Sequence, residues 1–260
     1  MPIPDSPRVQ YKKNPLVEVI CQVRFPAILR IETHPPVEFQ EQLRQQYPLF
    51  IAKQGVNIEI PSEIARSEIV KIVGEHKSYE FTTADEQWTV SLTKDFLALT
   101  SRKYERWEEF QRNLALPLEA LNTIYAPVFY SRIGLRYRDV IQMSQLGLMG
   151  VEWAELLNPY LVGELASPDL AQEIVYVARE FVMQLQDGRQ SQAHVRHGLV
   201  QVGNTEEIGY LIDSDFFTEQ RTEIKDALEA LHYFNQQAGR LFRWCLTDRL
   251  HNAMEPETVG

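Results

Sequence analysis

Hydrophobic and polar residues alternate along several stretches of this chain, and such alternation is typical of β-strands with one buried face. The clearest stretch is residues 86–93, where Trp88, Val90 and Leu92 alternate with polar neighbours. This criterion, together with the turn-forming residues between stretches, predicts strands over residues 17–31, 56–60, 67–73, 78–83, 86–93, 96–100, 128–141, 177–186, 190–202 and 208–216.

Apolar residues that recur every three or four positions predict helices elsewhere in the chain. Two long helices are expected, over residues 103–125 and 222–253, and each has an apolar stripe that belongs in a core. Shorter helices are expected from about residue 35 to Pro48, where prolines mark both ends, and over residues 150–157.

The order of these elements repeats along the chain. Residues 1–14 are rich in proline and polar residues and are expected to form a flexible arm, and residues from 255 onward are expected to fray. Residues 15–126 and 127–254 each contain a strand, a helix, three or four antiparallel strands and a long helix. We therefore predict an α+β fold with an internal duplication, in which two similar halves form one body. Both long helices would pack on one face of the antiparallel sheets, leaving the other face as a concave or tunnel-like surface.

Composition and charge narrow the class of protein. The chain has 260 residues, 44% of them hydrophobic, which is enough for a substantial core. The formal net charge of -10 opposes broad, sequence-independent binding of nucleic acid. The first residues lack the pattern of a signal peptide, and no apolar run is long enough to span a bilayer. We therefore expect a cytoplasmic protein without a membrane segment, with Cys21 and Cys245 as buried thiols.

Three arginines share one face of the strand predicted at residues 128–141. Arg132, Arg136 and Arg138 would repel one another unless an anion or water lies over them. One hypothesis is therefore a site for a phosphate, a nucleotide or a phosphodiester. The alternative is a solvent-facing strand whose arginines pair with acidic residues, at about 0–1 kcal/mol for each pair. Three residues on other predicted strands would add to the anion site: Arg24, His194 and Arg196.

Two carboxylates, Asp213 and Asp215, lie on one face of the last predicted strand. Paired carboxylates hold magnesium or manganese near phosphates, but they are also common just before a helix, as here. Both interpretations stay open. His194 and His197 are three residues apart on a strand and therefore face opposite ways, so they are not expected to bind one metal ion. The chain has no glycine-rich phosphate loop and no common hydrolase motif.

Four segments carry a family resemblance: Asn14-Pro15-Leu16-Val17-Glu18-Val19, Tyr104-x-x-Trp107-x-x-Phe110, Arg132-Ile133-Gly134-Leu135-Arg136-Tyr137 and Leu211-Ile212-Asp213-Ser214-Asp215-Phe216-Phe217. In this order and spacing they resemble a sporadically distributed family of conserved-hypothetical prokaryotic proteins of similar length. The resemblance covers nearly the whole chain. It implies a cytoplasmic prokaryotic protein, and the sporadic distribution implies a toxin–antitoxin or anti-phage defence setting. The family pattern has an asparagine after the Tyr-x of the third segment, where this chain has Arg138-Asp139.

We therefore expect a non-enzymatic binding protein that holds a protein partner or an anionic, nucleotide-like ligand on the arginine-bearing sheet face. An alternative is a metal-dependent phosphohydrolase or nucleotidyl enzyme of the triphosphate-tunnel type, with Mg²⁺ held by Asp213 and Asp215. A third hypothesis is an antitoxin or structural subunit, whose acidic surface would mask a basic partner. A protein partner or a homo-oligomer is expected, and a small anionic ligand is the other candidate for what this face binds.

Overall fold

The structure is a computed structural model that describes residues 3–54 and 77–258. It confirms the predicted α+β class. Within these ranges the strands are β1 Val9–Tyr11, β2 Leu16–Arg24, β3 Leu49–Gln54, β4 Lys77–Thr82, β5 Trp88–Leu92, β6 Phe96–Ser101, β7 Arg132–Ile141, β8 Ala178–Gln184, β9 Gln192–Gln201, β10 Ile208–Thr218 and β11 Pro256–Thr258. The helices are α1 Leu29–Thr33, α2 Val37–Leu43, α3 Trp107–Ile124, α4 Met143–Leu146, α5 Trp153–Leu156, α6 Pro159–Val162, α7 Ala227–Cys245 and α8 Asp248–Ala253. Short 3-10 helices cover Gly163–Ala166, Ala171–Glu173 and Ile224–Asp226.

Nine strands form one antiparallel sheet in the order β3-β4-β5-β6-β2-β7-β10-β9-β8. The first strands of the two predicted halves, β2 and β7, lie at the centre of the sheet. β6, the last strand of the first half, flanks β2, and β10, the last strand of the second half, flanks β7. Pairing of β2 with β7, with Val19 opposite Tyr137, joins the two halves into a single sheet. In the described ranges β3 and β8 do not pair with each other, so the sheet is open and forms no closed tunnel.

Both long helices pack on the same face of the sheet, as predicted. Trp107 at the start of α3 contacts His232 of α7, with ring centroids 6.3 Å apart. The hydroxyl of Tyr137 on β7 donates a hydrogen bond to Asn235 of α7 at 2.9 Å. The apolar stripes of α3 and α7 lie in the core, and Phe110 and Phe234 are fully buried. No helix in the described part of the chain is long and apolar enough to cross a bilayer.

Several element boundaries differ from the predicted ones. The strand predicted over residues 17–31 ends at Arg24, because Pro26 has no N–H for a ladder hydrogen bond. The helix predicted over residues 222–253 breaks between α7 and α8, where Thr247 caps α8 by accepting a hydrogen bond from the Leu250 amide. β3 was not predicted. The strands predicted at residues 56–60 and 67–73 lie outside the described residues.

The two chain ends pair with each other, which corrects the expected flexible arm and frayed C-terminus. β1 and β11 form a two-stranded antiparallel sheet in which Gln10 lies opposite Glu257. The Tyr11 hydroxyl lies 2.8 Å from Nδ1 of His251 on α8. The arm is short and polar, but these contacts attach it to the helix-covered side of the molecule. We call the pairing of β1 with β11 the terminal clasp.

Candidate functional site

The sheet face opposite the helices carries all the residues that the sequence proposed as ligand or metal contacts, namely Arg24, Arg132, Arg136, Arg138, His194, Arg196, Asp213 and Asp215. The described helices pack against the face that includes Tyr137, and alternation places the arginines of β7 on the other side. We call this other side the open face. Asp213 of β10 lies opposite Arg138 and Arg196, and Asp215 lies opposite Arg136 and His194 in the two neighbouring strands. The sequence could not establish that arginines and aspartates share one surface, and the structure brings them together.

The three arginines of β7 are each paired with a carboxylate. Arg136 makes a bidentate ion pair with Asp213, in which its Nε lies 2.7 Å from Oδ1 and its Nη2 contacts Oδ2. Burial opposes the charge of Arg136, but the hydrogen bonds and the charge of Asp213 outweigh it and raise the pKa of Arg136. Arg132 donates to Asp215 at 2.7 Å. Like charges on this strand are therefore compensated within the sheet, which favours the pairing alternative for these side chains.

Arg138 and Arg132 also contact the neighbouring strand β2. Arg138 Nη1 lies 3.4 Å from a carboxylate oxygen of Glu18, and Arg132 Nη1 donates to the Gln22 side chain at 3.2 Å. The Arg132 guanidinium lies across Gly134, where any Cβ atom would overlap it. Glycine at this position thus lets Arg132 reach both Asp215 and Gln22.

The end of β2 carries an excess of positive charge. Arg24 lies directly opposite Arg132 and is exposed. Its guanidinium has no hydrogen-bond or ion-pair partner in residues 3–54 and 77–258. Two like charges in register are unfavourable unless something anionic lies nearby. Among the arginines of the open face in the described ranges, Arg24 is therefore the one that fits the prediction of a cation without a carboxylate partner.

A cleft of about 70 Å³ lies on the open face over β10. It is lined by side chains from three adjacent strands: Arg136, His194, Arg196, Asp213 and Asp215. The cations are more exposed than the deepest acid, since the side chain of Arg196 is 31% exposed and that of Asp213 only 7%. Asp215, whose side chain is 27% exposed, also reaches the surface, so the outer surface of the cleft carries charges of both signs.

Glu180 on β8 completes the cluster and was missed by the sequence analysis. Its carboxylate lies 2.9 Å from His194 Nε2 and 3.3 Å from Arg196 Nε. The hairpin that joins β8 to β9 turns around Gly188, and Glu180 faces Arg196 across it. A two-residue turn at Asp187-Gly188, as the sequence suggested, would place Glu180 opposite Val195, whereas the strands pair one residue out of that register, so the turn alone did not reveal this contact.

The two aspartates act as arginine partners in this arrangement. Asp213 uses both oxygens to contact Arg136, and Asp215 uses one to contact Arg132. No group of three or more histidine, cysteine or acidic residues in the described part of the chain is arranged to hold a metal ion. His194 and His197 point to opposite faces, and His197 is buried against Tyr210.

Comparisons with family profiles, with curated protein sequences and with solved structures returned no match. The family resemblance therefore stays a prediction.

Proposed function

We propose that this chain is a non-enzymatic binding protein that holds a phosphate-like anionic group of its ligand in the cleft on the open face. The observation that carries the proposal is the convergence of Arg136, Arg196 and His194 on a single cleft. The rest of the surface is acidic overall, because the chain has a formal net charge of -10. The part of the open face formed by β2, β7, β10, β9 and β8 differs, since it gathers five arginines against four carboxylates: Arg24, Arg132, Arg136, Arg138, Arg196, Glu18, Glu180, Asp213 and Asp215.

The ion pairs orient the arginines and leave donors for a ligand. Asp213 occupies Nε and Nη2 of Arg136, and Nη1 has no hydrogen-bond partner among the residues that the structure describes. Glu180 contacts only Nε of Arg196. Both terminal nitrogens of Arg196 have no hydrogen-bond partner among the described residues and are available to a ligand. Guanidinium groups that are already fixed lose less entropy when they bind an oxyanion.

The size of the cleft limits what it can enclose. A volume of about 70 Å³ suits a phosphate or carboxylate group but cannot contain a nucleotide base. The remainder of a larger ligand would extend along the open face towards Arg24, where the positive charge is uncompensated. A nucleotide-like ligand would thus be held by its phosphate, with its base over the sheet.

The test is a titration with pyrophosphate at low ionic strength, where electrostatic contacts are least screened. Binding is followed by nuclear magnetic resonance of the arginine Nε–Hε groups. We expect saturable shifts of Arg136 and Arg196, and at least fivefold weaker binding in Arg196→Gln. Arg44→Gln is the matched control, because Arg44 is an exposed arginine that pairs with Glu41 away from the sheet face. Equal affinity in wild type and Arg196→Gln would contradict the proposal.

The other hypotheses about function stay predictions. The metal-dependent phosphohydrolase would need Asp213 and Asp215 to release their arginines before binding Mg²⁺, so the observed pairing does not favour it. A protein partner, a homo-oligomer and a prokaryotic defence or toxin–antitoxin setting are proposals that rest on the sequence alone.

A further inference from the structure

A second, larger cavity lies on the opposite side of the sheet from the open face. Its volume is about 320 Å³, at the lower end of the range for small-molecule sites. Its floor is formed by Tyr137 and Asp139 of β7 and Ser214 of β10. Helix α7 forms one wall, the residues that lead into α3 form another, and residues 6–11 with the terminal clasp cover the top.

Asp139 is an unpartnered carboxylate in the floor of this cavity. The residue is only 6% exposed and faces the helix-covered side with Tyr137. It has no hydrogen-bond or ion-pair partner in the described ranges of the chain. Burial raises the pKa of Asp139 well above its usual value, and the charge of Asp213 adds to the effect. A buried charge without a partner is costly, so this carboxyl group favours its neutral form unless a cation from outside the chain pairs with it.

Aromatic rings line the same cavity as this carboxylate. Tyr104 and Tyr137 meet edge to face with centroids 5.7 Å apart, and both hydroxyls donate to Oδ1 of Asn235, at 3.2 and 2.9 Å. Tyr11 and Phe242 form a second edge-to-face pair at 5.8 Å. Rings of this kind stabilise a cation through their π faces, and a carboxylate supplies the ionic contact.

We infer that the Asp139 cavity is a second ligand site, which binds an organic ammonium ion with an aromatic or aliphatic body. The ammonium group contacts the Asp139 carboxylate, and the apolar body packs among the four rings. This site is separate from the anion cleft, since the two lie on opposite faces of the sheet. The ligand chemistry is also opposite, with a cation on the helix side and an anion on the open face.

Two arginines at the mouth of the cavity, Arg8 and Arg240, are already paired with carboxylates, and the exposed Glu105 and Arg106, which also line the cavity, are opposite in sign. Arg8 makes two hydrogen bonds of 2.8 Å with Glu108. Arg240 lies 2.8 Å from Asp5. The unpaired charge in the interior is therefore the acidic one, and it determines the sign of the ligand.

The affinity for this ligand should also depend on pH, because Asp139 can gain or lose a proton. The groups that act electrostatically with Asp139 are Tyr11 of β1, Tyr137 of β7, Asp213 of β10 and Cys245 of α7. The three phenol and thiol groups are neutral at pH 7, since burial raises their pKa values. An ammonium ion stabilises the ionised form of Asp139, whose pKa burial raises, so the affinity should rise with pH until this carboxylate is ionised in the unliganded protein.

The experiment compares three small molecules of similar shape by isothermal titration calorimetry at pH 7.5. They are tyramine, which carries an ammonium group, 4-ethylphenol, which is neutral, and 3-(4-hydroxyphenyl)propionate, which is anionic. We expect tyramine to bind at least tenfold more tightly than the other two. In Asp139→Asn this preference should disappear, while Asp169→Asn, a change at an exposed acidic residue, should retain it.

Three outcomes would overturn the inference. They are equal binding of tyramine and 4-ethylphenol, tighter binding of the anion, and an unchanged preference in Asp139→Asn. The comparison within the wild-type protein remains decisive even where the variant folds poorly. Pyrophosphate binding is measured in the same Asp139→Asn sample, and its retention shows that a loss of tyramine binding is specific to this cavity.

Discussion

Arg136 and Asp213 form the deepest ion pair on the open face, and each depends on the other. Their side chains are 17% and 7% exposed, so neither charge is well solvated by water. Removal of one partner would leave the other as an unpaired, mostly buried charge. The cost of such a change is larger than the net contribution of the pair itself.

We predict that Arg136→Ala lowers the free energy of unfolding by about 2–4 kcal/mol. The Arg136→Ala/Asp213→Ala double variant should lose less than the sum of the two single losses, because it leaves no unpaired charge. Urea denaturation of all four proteins in a double-mutant cycle measures the coupling. Additive losses would show that the pair is not coupled.

The pattern on β7 held more information than the sequence analysis extracted from it. Alternation correctly placed Arg132, Arg136 and Arg138 together. The same alternation puts Asp139 on the apolar face with Tyr137, which marks it as a buried carboxylate. Its importance depends on the cavity above it, and that cavity is formed by segments distant in sequence, so no local pattern could reveal it.

At the scale of elements, strands and long helices were predictable because their periodicity is local. The strands β5, β6, β9 and β10 begin within two residues of their predicted positions. Pairing across the sheet was less accessible, since β2 meets β7 across a separation of more than a hundred residues. The terminal clasp was missed for the same reason, and also because three-residue strands have too few positions to show an alternation.

We predict that the terminal clasp holds the N-terminal segment against the body of the protein. Deletion of residues 255–260 removes β11 and should increase amide hydrogen exchange over residues 6–13 at least tenfold, with little change in β7 or β10. Exchange followed by mass spectrometry measures both regions. The control is Lys12→Gln, which removes only the exposed ion pair with Glu257 and should leave exchange unchanged. Full protection after the deletion would mean that other contacts hold the segment.

At the scale of the whole molecule, the sheet separates two environments of different character. The open face is a network of compensated charges, with an excess of arginine at one end. The helix-covered face is apolar except for a few buried polar groups, and Asp139 is a carboxylate among them. A carboxylate whose pKa is higher in the folded protein than in the unfolded chain opposes folding once it ionises.

We predict that Asp139 makes the protein less stable as the pH rises. The unfolded chain ionises this carboxylate from about pH 4, before the folded protein does, so stability falls from there up to the folded-state pKa and then levels off. Asp139→Asn removes this penalty and should raise the thermal midpoint at pH 8 by about 2 °C or more for each kcal/mol regained. Thermal unfolding of both proteins at pH 4.5 and pH 8 tests this. An equal difference at the two pH values, or a less stable variant at pH 8, would be contrary to the prediction.

The terminal clasp also bears on the order in which the molecule assembles during synthesis. β1 is the first described strand to leave the ribosome and β11 is the last, with nearly the whole chain between them. Contacts between such distant residues form late, because closing the intervening loop is entropically costly. Residues 6–11 therefore settle over Asp139 only after the nine-stranded sheet has its full set of strands. A molecule that occupies this cavity would stabilise finished chains and find no complete site on nascent ones.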